Sequence, residues 1–213
     1  MKITLKDGSV LEYNEAKTAG DITKDISMGL FRNATCCKIN GEVKDLRTVI
    51  DADATLEILT FDDENGRKAF NHTASHIMAQ AVKRLYPEAK LTIGPAIDNG
   101  FYYDFDVEKS FSPDDLAKIE AEMKKIVKEN PEIKRFELPV EEAVALMESK
   151  NEPYKVELIN EHAAKGEPIS FYEQGEFVEL CAGPHLMDMK NVKAFKLTQC
   201  TGAYWRGDEK NKM

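Results

Sequence analysis

"ATCCKINGEVKDL", residues 34–46, decides how the first part of this chain folds. Asn40-Gly41 supplies the two positive φ angles of a tight hairpin turn, and strand-like residues flank it on both sides. Upstream, "KITLKDGSVLEY" (2–13) alternates in polarity around Lys6-Asp7-Gly8 and reads as a first hairpin. "AGDITKDIS" (19–27) follows as a short helix, and "TLEILT" (55–60) closes the run as a strand. Adjacent Cys36 and Cys37 point to opposite faces of their strand and read as small hydrophobes.

Hairpin, helix, hairpin, strand is the order of a ubiquitin-like β-grasp module. The polar, glycine-containing "FDDENGRK" (61–68) suits a boundary after it. At 213 residues the chain has room for one generous domain or two small ones, and we divide it into 1–61 and 62–213. With 42% hydrophobic and 31% charged residues it is an ordinary globular composition. No apolar run approaches the ~18–20 residues of a membrane span, and "MKITLKDG" lacks an apolar signal core. Four cysteines without repeated spacing are no disulfide framework, so a reducing cytoplasm is expected. A net charge of −9 argues against a general nucleic-acid coat protein. It leaves room for a local basic patch after Met189, built from Lys190, Lys193, Lys196, Arg206, Lys210 and Lys212, or for a plain solvated face there.

The second part opens on "FNHTASHIMAQAV" (70–82), read as a helix that Pro87 ends. Phe70, Ala74, Ile77, Ala81 and Leu85 form one stripe, while His72 and His76 project together from the opposite side. A surface pair of histidines arising by chance is the plain alternative. "KLTIGPAIDNGFYYDFDV" (90–107) reads as a hairpin turning at Asp98-Asn99-Gly100. Helix 112–130 is marked by Ser112 as cap, Pro113 at its first position and Asp115 completing a capping box. "VEEAVALMES" (140–149) reads as a helix, "ISFYEQ" (169–174) and "FVELC" (177–181) as strands, and "AFKLTQC" (194–200) as a last strand. Helices and strands interleave without a βαβ beat, which makes the class α+β.

Three of the chain's four histidines fall in two short motifs of equal internal spacing, His72/His76 and Cys181/His185 in "CAGPH". If the helix and the strand end face each other, four side chains converge. Zinc, hydrolysis without a metal, and a hydrogen-bonded core all remain open from the spacing. A thiol nucleophile at Cys181 is a weaker fourth. His162, in polar "NEHAAKGEP" (160–168), reads as a surface histidine on a loop, and Trp205 as a packing residue.

A β-grasp start, "NHTASHIMAQAVKRLYP", "IGPAIDNGFYYDFD", "FVELCAGPHL" and "GAYWRGDEKNKM", in that order, resembles the N-terminal half of the bacterial-type threonyl-tRNA synthetase family over essentially the whole chain. The paired motifs are also similar to alanyl-tRNA synthetase editing domains and freestanding deacylases. The resemblance implies a TGS β-grasp domain followed by a larger α+β editing domain that removes serine wrongly attached to threonine tRNA. It implies a class II core and an anticodon-binding domain beyond this chain. There ATP, Mg²⁺ and a catalytic zinc serve ligation, and there the parent dimerises. Carried over, the editing positions are His72, His76, Cys181, His185 and Lys155, with Tyr103 and Glu179 at the substrate; Glu179 stands where many members carry aspartate. In that reading His72 and the Lys155 region place water and ester, with no metal in the editing site. Zinc, if bound, would sit on His72, His76, Cys181 and His185. The alternatives are a tRNA-docking module without turnover, aided by Arg206 and nearby lysines, and a zinc-dependent deacylase of the alanyl type.

Overall fold

The structure is a computed structural model and describes residues 1–97 and 99–210. Asp98 of the expected turn and Lys212 of the basic tail lie outside the described residues. The first unit contains β1 (Lys2–Leu5), β2 (Val10–Glu12), β3 (Lys17–Thr18), α1 (Ala19–Ile26), α2 (Met28–Asn33), β4 (Ala34–Ile39), β5 (Glu42–Lys44), β6 (Val49–Ile50) and β7 (Ala54–Thr60). Its sheet runs β2-β1-β7-β4-β5, with β1 and β7 parallel and the other pairs antiparallel. Asn40 and Gly41 take φ of 51° and 85°, as the hairpin turn requires.

Both faces of this sheet are covered. Ile3, Cys37 and Leu56 pack with Ala19 and Ile22 of α1 on one side. Cys36 and Leu59 pack with Ala69 on the other, so the adjacent cysteines do serve opposite faces, both fully buried. Ala69 belongs to α3 (Glu64–Leu85), which follows β7 after only three residues. The expected polar boundary 61–68 is therefore mostly helix, and Asp63 helps the chain turn by accepting Thr60 N–H at 2.8 Å. Gly66 makes the close approach possible: a Cβ there would lie 1.8 Å from the Thr60 carbonyl oxygen.

The second unit adds β8 (Lys90–Leu91), β9 (Ala96–Ile97), β10 (Gly100–Phe101), β11 (Phe105–Asp106), α4 (Pro113–Glu129), β12 (Ile133–Glu137), α5 (Val140–Ser149), α6 (Pro153–Ala164), β13 (Ser170–Gln174) and β14 (Phe177–Leu180). Antiparallel β12-β13-β14 is the middle layer. Phe171 faces the α5–α6 pair with Ala143, Met147 and Ile159. Tyr172 and Phe177 face α3 and α4, where Ile77, Ile119, Met123 and Ile126 fill the main core. The capping box of α4 is formed, and Asn130 closes it in the left-handed conformation. No helix among the described residues is long and apolar enough to cross a membrane.

The plain alternative of a surface histidine pair falls: Thr73 to Val82 are all buried, because α4 packs on one side and the sheet on the other. Three expectations are corrected. The 160–168 stretch is a loop only from 165 on, since α6 extends to Ala164 with Lys155 and Ile159 buried one turn apart. The 90–107 hairpin divides into two short ladders, β9–β10 and β8–β11. Residues 194–200 alternate in polarity yet form no strand: Phe195 and Leu197 pack onto the helical core, and Leu197 N–H goes to the Glu120 carboxylate (3.0 Å) instead of a ladder.

Candidate active site

The long helix α3 places His72 and His76 one turn apart, their rings 5.0 Å from each other. Strand β14 arrives from the opposite layer carrying Glu179 and runs on to Cys181, whose N–H still reaches the Ser170 carbonyl at 3.0 Å. The chain then turns sharply. Gly183 has φ of 79°, and a Cβ on it would lie 2.1 Å from the Tyr172 hydroxyl oxygen. A cis Gly183-Pro184 bond follows, and His185 returns to α3.

There His185 stands between the two helix histidines, 4.2 Å from the His72 ring and 4.1 Å from that of His76. Its Nδ1 lies 3.1 Å from the Thr73 hydroxyl. Thr73 spends its single proton on the Ala69 carbonyl (3.0 Å) and accepts Leu186 N–H (3.0 Å), so toward His185 it also accepts. That count assigns the proton of His185 to Nδ1 and leaves Nε2 facing the Cys181 sulfur at 3.2 Å. The same sulfur lies 3.4 Å from His72 Nε2 and receives Gly183 N–H at 3.2 Å.

Burial dominates the charge states. It lowers the His72 pKa to about 4, against the raising effect of a hydrogen bond that the imidazole donates to the Pro184 carbonyl. His76 and His185 are driven well below the ordinary imidazole range by burial, then by their histidine neighbours. Burial also pushes the Cys181 thiol up to about 12. At neutral pH the cluster is three neutral imidazoles and a protonated thiol, which disfavours Cys181 as a nucleophile.

A second group adjoins it. Lys155 of α6 forms a buried ion pair with Glu179, and Tyr103 donates its hydroxyl to the same carboxylate at 2.7 Å. The Lys155 ammonium is 5.6 Å from the Tyr103 ring centre. Burial raises the Glu179 pKa while Lys155 and then Tyr103 oppose that rise. His72, His76, Tyr103, Lys155, Glu179 and Cys181 line one cavity of about 610 Å³, within the ~300–1,000 Å³ usual for ligand pockets. His185 lies immediately behind it. All seven sequence-derived candidates thus meet at one place.

Sequence reasoning passed over His162 and Arg135, which also line the cavity. His162 sits in the last turn of α6 and pairs with Glu167. Trp205 packs against Tyr154, ring centres 4.9 Å apart and tilted by 57°, as a packing residue. Of the expected basic tail, Lys190, Lys196 and Arg206 face Asp188, Glu120 and Glu157/Glu161 respectively, so much of its charge is already matched.

The donor set suits a metal. One nitrogen or sulfur from each of His72, His76, Cys181 and His185 lies within 4.8 Å of every other, and His76 Nδ1 is buried without a hydrogen-bond partner. Tetrahedral Zn²⁺ at bonds of ~2.0–2.3 Å would need only a modest contraction.

Comparison with known proteins finds likenesses at both ends of the chain and over its whole length. Residues 1–60 match the TGS domain, and residues 169–213 match the threonyl and alanyl tRNA synthetase second additional domain. The latter span includes Cys181 and His185 but not the helix histidines. Over all 213 residues the chain is 64% identical to threonine–tRNA ligases of Acetivibrio thermocellus and Clostridium perfringens, and 63% identical to that of Clostridium tetani. It spans 33% of the length of each of these relatives.

Proposed function

We propose that this chain, with its TGS domain and its second additional domain of the threonyl and alanyl type, is the proofreading part of a threonine–tRNA ligase. In this reading residues 1–61 are the TGS part, and residues 62–213 hydrolyse serine wrongly esterified to threonine tRNA. The observation that carries it is the meeting of both histidine motifs with Lys155, Glu179 and Tyr103 on one cavity. ATP- and Mg²⁺-dependent joining of threonine to its tRNA is proposed for the whole enzyme and for none of the residues described here.

The task has a physical origin. Serine is threonine without one methyl group, worth only ~1–3 kcal/mol of discrimination in a binding pocket. A second site that admits serine and clashes with the extra methyl supplies the rest. In the reaction, a water oxygen attacks the ester carbonyl and the bond to the ribose oxygen breaks. The proton lost by water ends on that ribose oxygen, giving free serine and intact tRNA.

His72, neutral and half-buried at the cavity wall, accepts a hydrogen bond from the attacking water. With a pKa of about 4 it orients the water more than it stores a proton. The Lys155 ammonium, held by Glu179, offsets the charge that develops on the carbonyl oxygen. His76 and Cys181 form a polar floor for a short hydroxylated side chain, with His185 behind them. Zn²⁺ on the four donors would have every position filled by protein, so it would supply a fixed charge and a clamp between α3 and the 181–185 turn.

The deciding experiment incubates the 213-residue chain with serine-charged and threonine-charged threonine tRNA. Faster loss of the serine ester is expected. Equal loss of both, or loss no faster than in buffer, refutes the reading.

A further inference from the structure

The turn that bears Cys181 and His185 is held from behind by the other domain. Asp45 and Arg47 lie between β5 and β6 of the β-grasp unit, and Asp45 is 6% exposed. The Asp45 carboxylate accepts His185 N–H at 3.1 Å and the Tyr172 hydroxyl at 2.8 Å. Its other oxygen accepts Arg47 N–H at 2.8 Å and the Arg47 guanidinium at 3.0 Å. The guanidinium, so fixed, donates to the carbonyls of Leu186 (2.9 Å), Met187 (3.3 Å) and Ile133 (3.0 Å). Met187 itself packs into the β-grasp core.

Tyr172 completes the arrangement. Its ring lies 4.4 Å from the His185 imidazole, and its hydroxyl, aimed by Asp45, occupies the space that a side chain on Gly183 would need. His185 N–H and the Leu186 and Met187 carbonyls are therefore met by one carboxylate and one guanidinium. Neither charged residue lines the cavity. A buried ion pair within the β-grasp unit, hydrogen-bonded across the domain junction, is costly to desolvate, and a hydrophobic contact of similar size would hold the domains together as well. What the pair adds is direction: donors and acceptors fix the height and tilt of one turn.

We propose that Asp45 and Arg47 are positioning residues for the editing site, setting the place of the His185 imidazole from the TGS domain. The proposal rests on the hydrolytic reading above, and it makes the β-grasp unit a structural member of the site in addition to any contact it makes with tRNA. Outer groups that orient a functional histidine typically govern activity by ~10–100-fold.

The test uses Asp45→Asn and Arg47→Gln in the 213-residue chain, with Asn191→Ala as control. Asn191 donates to the Arg32 carbonyl at 2.6 Å, a cross-domain hydrogen bond remote from the turn. Two readouts are taken: kcat and KM for serine-charged threonine tRNA, and the ¹H–¹⁵N ring correlations of the four histidines. Expected for both test variants are a fall in kcat of about 10–100-fold, a KM within about twofold of the parent, displaced His185 signals and unmoved His162 signals. Asn191→Ala should leave kcat and His185 in place. Unmoved His185 signals in Asp45→Asn overturn the proposal, as does an equal loss of kcat in Asn191→Ala. Should Asp45→Asn fail to fold, Arg47→Gln decides by the same criteria. Should the parent chain show no hydrolysis, the ring signals decide alone, so failure of the hydrolytic reading is seen separately.

Discussion

Removing Lys155 should separate what the buried ion pair does for the fold from what it does for chemistry. Its side chain is 5% exposed and that of Glu179 is 2% exposed. In Lys155→Met the carboxylate keeps only the Tyr103 hydroxyl, and breaking a buried pair from one side costs ~3–5 kcal/mol. That cost has a ceiling, because Glu179 can take up a proton. At pH 7 protonating a carboxyl of ordinary pKa ~4.3 costs about 1.36 × (7 − 4.3), or about 3.7 kcal/mol. We therefore expect a loss of about 3–4 kcal/mol at pH 7.

The sign of its pH dependence follows. Burial already raises the Glu179 pKa, and removing Lys155 raises it further. A raised carboxyl pKa favours the fold below the unfolded value and disfavours it as pH climbs toward the folded value. The stability of Lys155→Met should thus rise by up to about 1.4 kcal/mol per unit as pH falls from 7 to 5. Replacing both partners, Lys155→Met with Glu179→Leu, should restore most of the stability and none of the hydrolysis. Urea unfolding followed by Trp205 fluorescence is the assay, since the chain's one tryptophan packs against Tyr154, next to Lys155 on α6. Equal destabilisation by the single and double changes, or retained hydrolysis in either, would refute the argument.

His72→Ala should lower serine-ester hydrolysis by about 10²–10⁴-fold while the urea midpoint moves little; a matching collapse of both would return His72 to a packing role. Gly183→Ala should cost ~1–2 kcal/mol for its positive φ and a further ~1–3 kcal/mol from the clash with Tyr172, seen as a lower midpoint; an unchanged midpoint would show that the turn relaxes freely. Exhaustive treatment with a chelator should leave hydrolysis intact, checked beside metal analysis of the untreated protein; loss of activity restored by Zn²⁺ would assign the four donors to a metal. Arg84 holds Glu176 down to about 2, chiefly by their hydrogen bond. Stability from that contact is present above the unfolded pKa of ~4.3 and lost as pH falls toward 2, so Arg84→Ala should flatten acid destabilisation between pH 4.5 and 2; identical curves would deny the linkage.

Local signals made the β-grasp unit legible: a two-residue turn at Asn40-Gly41 and alternation in the flanking strands carry most of it. The capping box at Ser112 did the same for α4. His72, His76, Cys181 and His185 stood out by scarcity and equal spacing, whereas Lys155 came only through family likeness. A helical lysine is ordinarily read as solvent-facing, even on the face of Ile159, until its partner, 24 positions away in sequence at Glu179, is known. Asp45 and Arg47 were invisible for the same reason, being ordinary charges after a hairpin whose partners lie beyond residue 130. "AFKLTQC" misled because alternation reports one buried edge without saying whether a strand or a helix covers it.

The 22-residue α3, about 33 Å long, begins against the back of the β-grasp sheet and carries the histidines in its middle. A chimera that grafts a foreign β-grasp onto this joint therefore inherits three obligations: equivalents of Asp45 and Arg47, and a surface that tolerates the helix as near as Gly66 allows. Genes can be cut at such a seam far more easily than the folded halves can be interchanged.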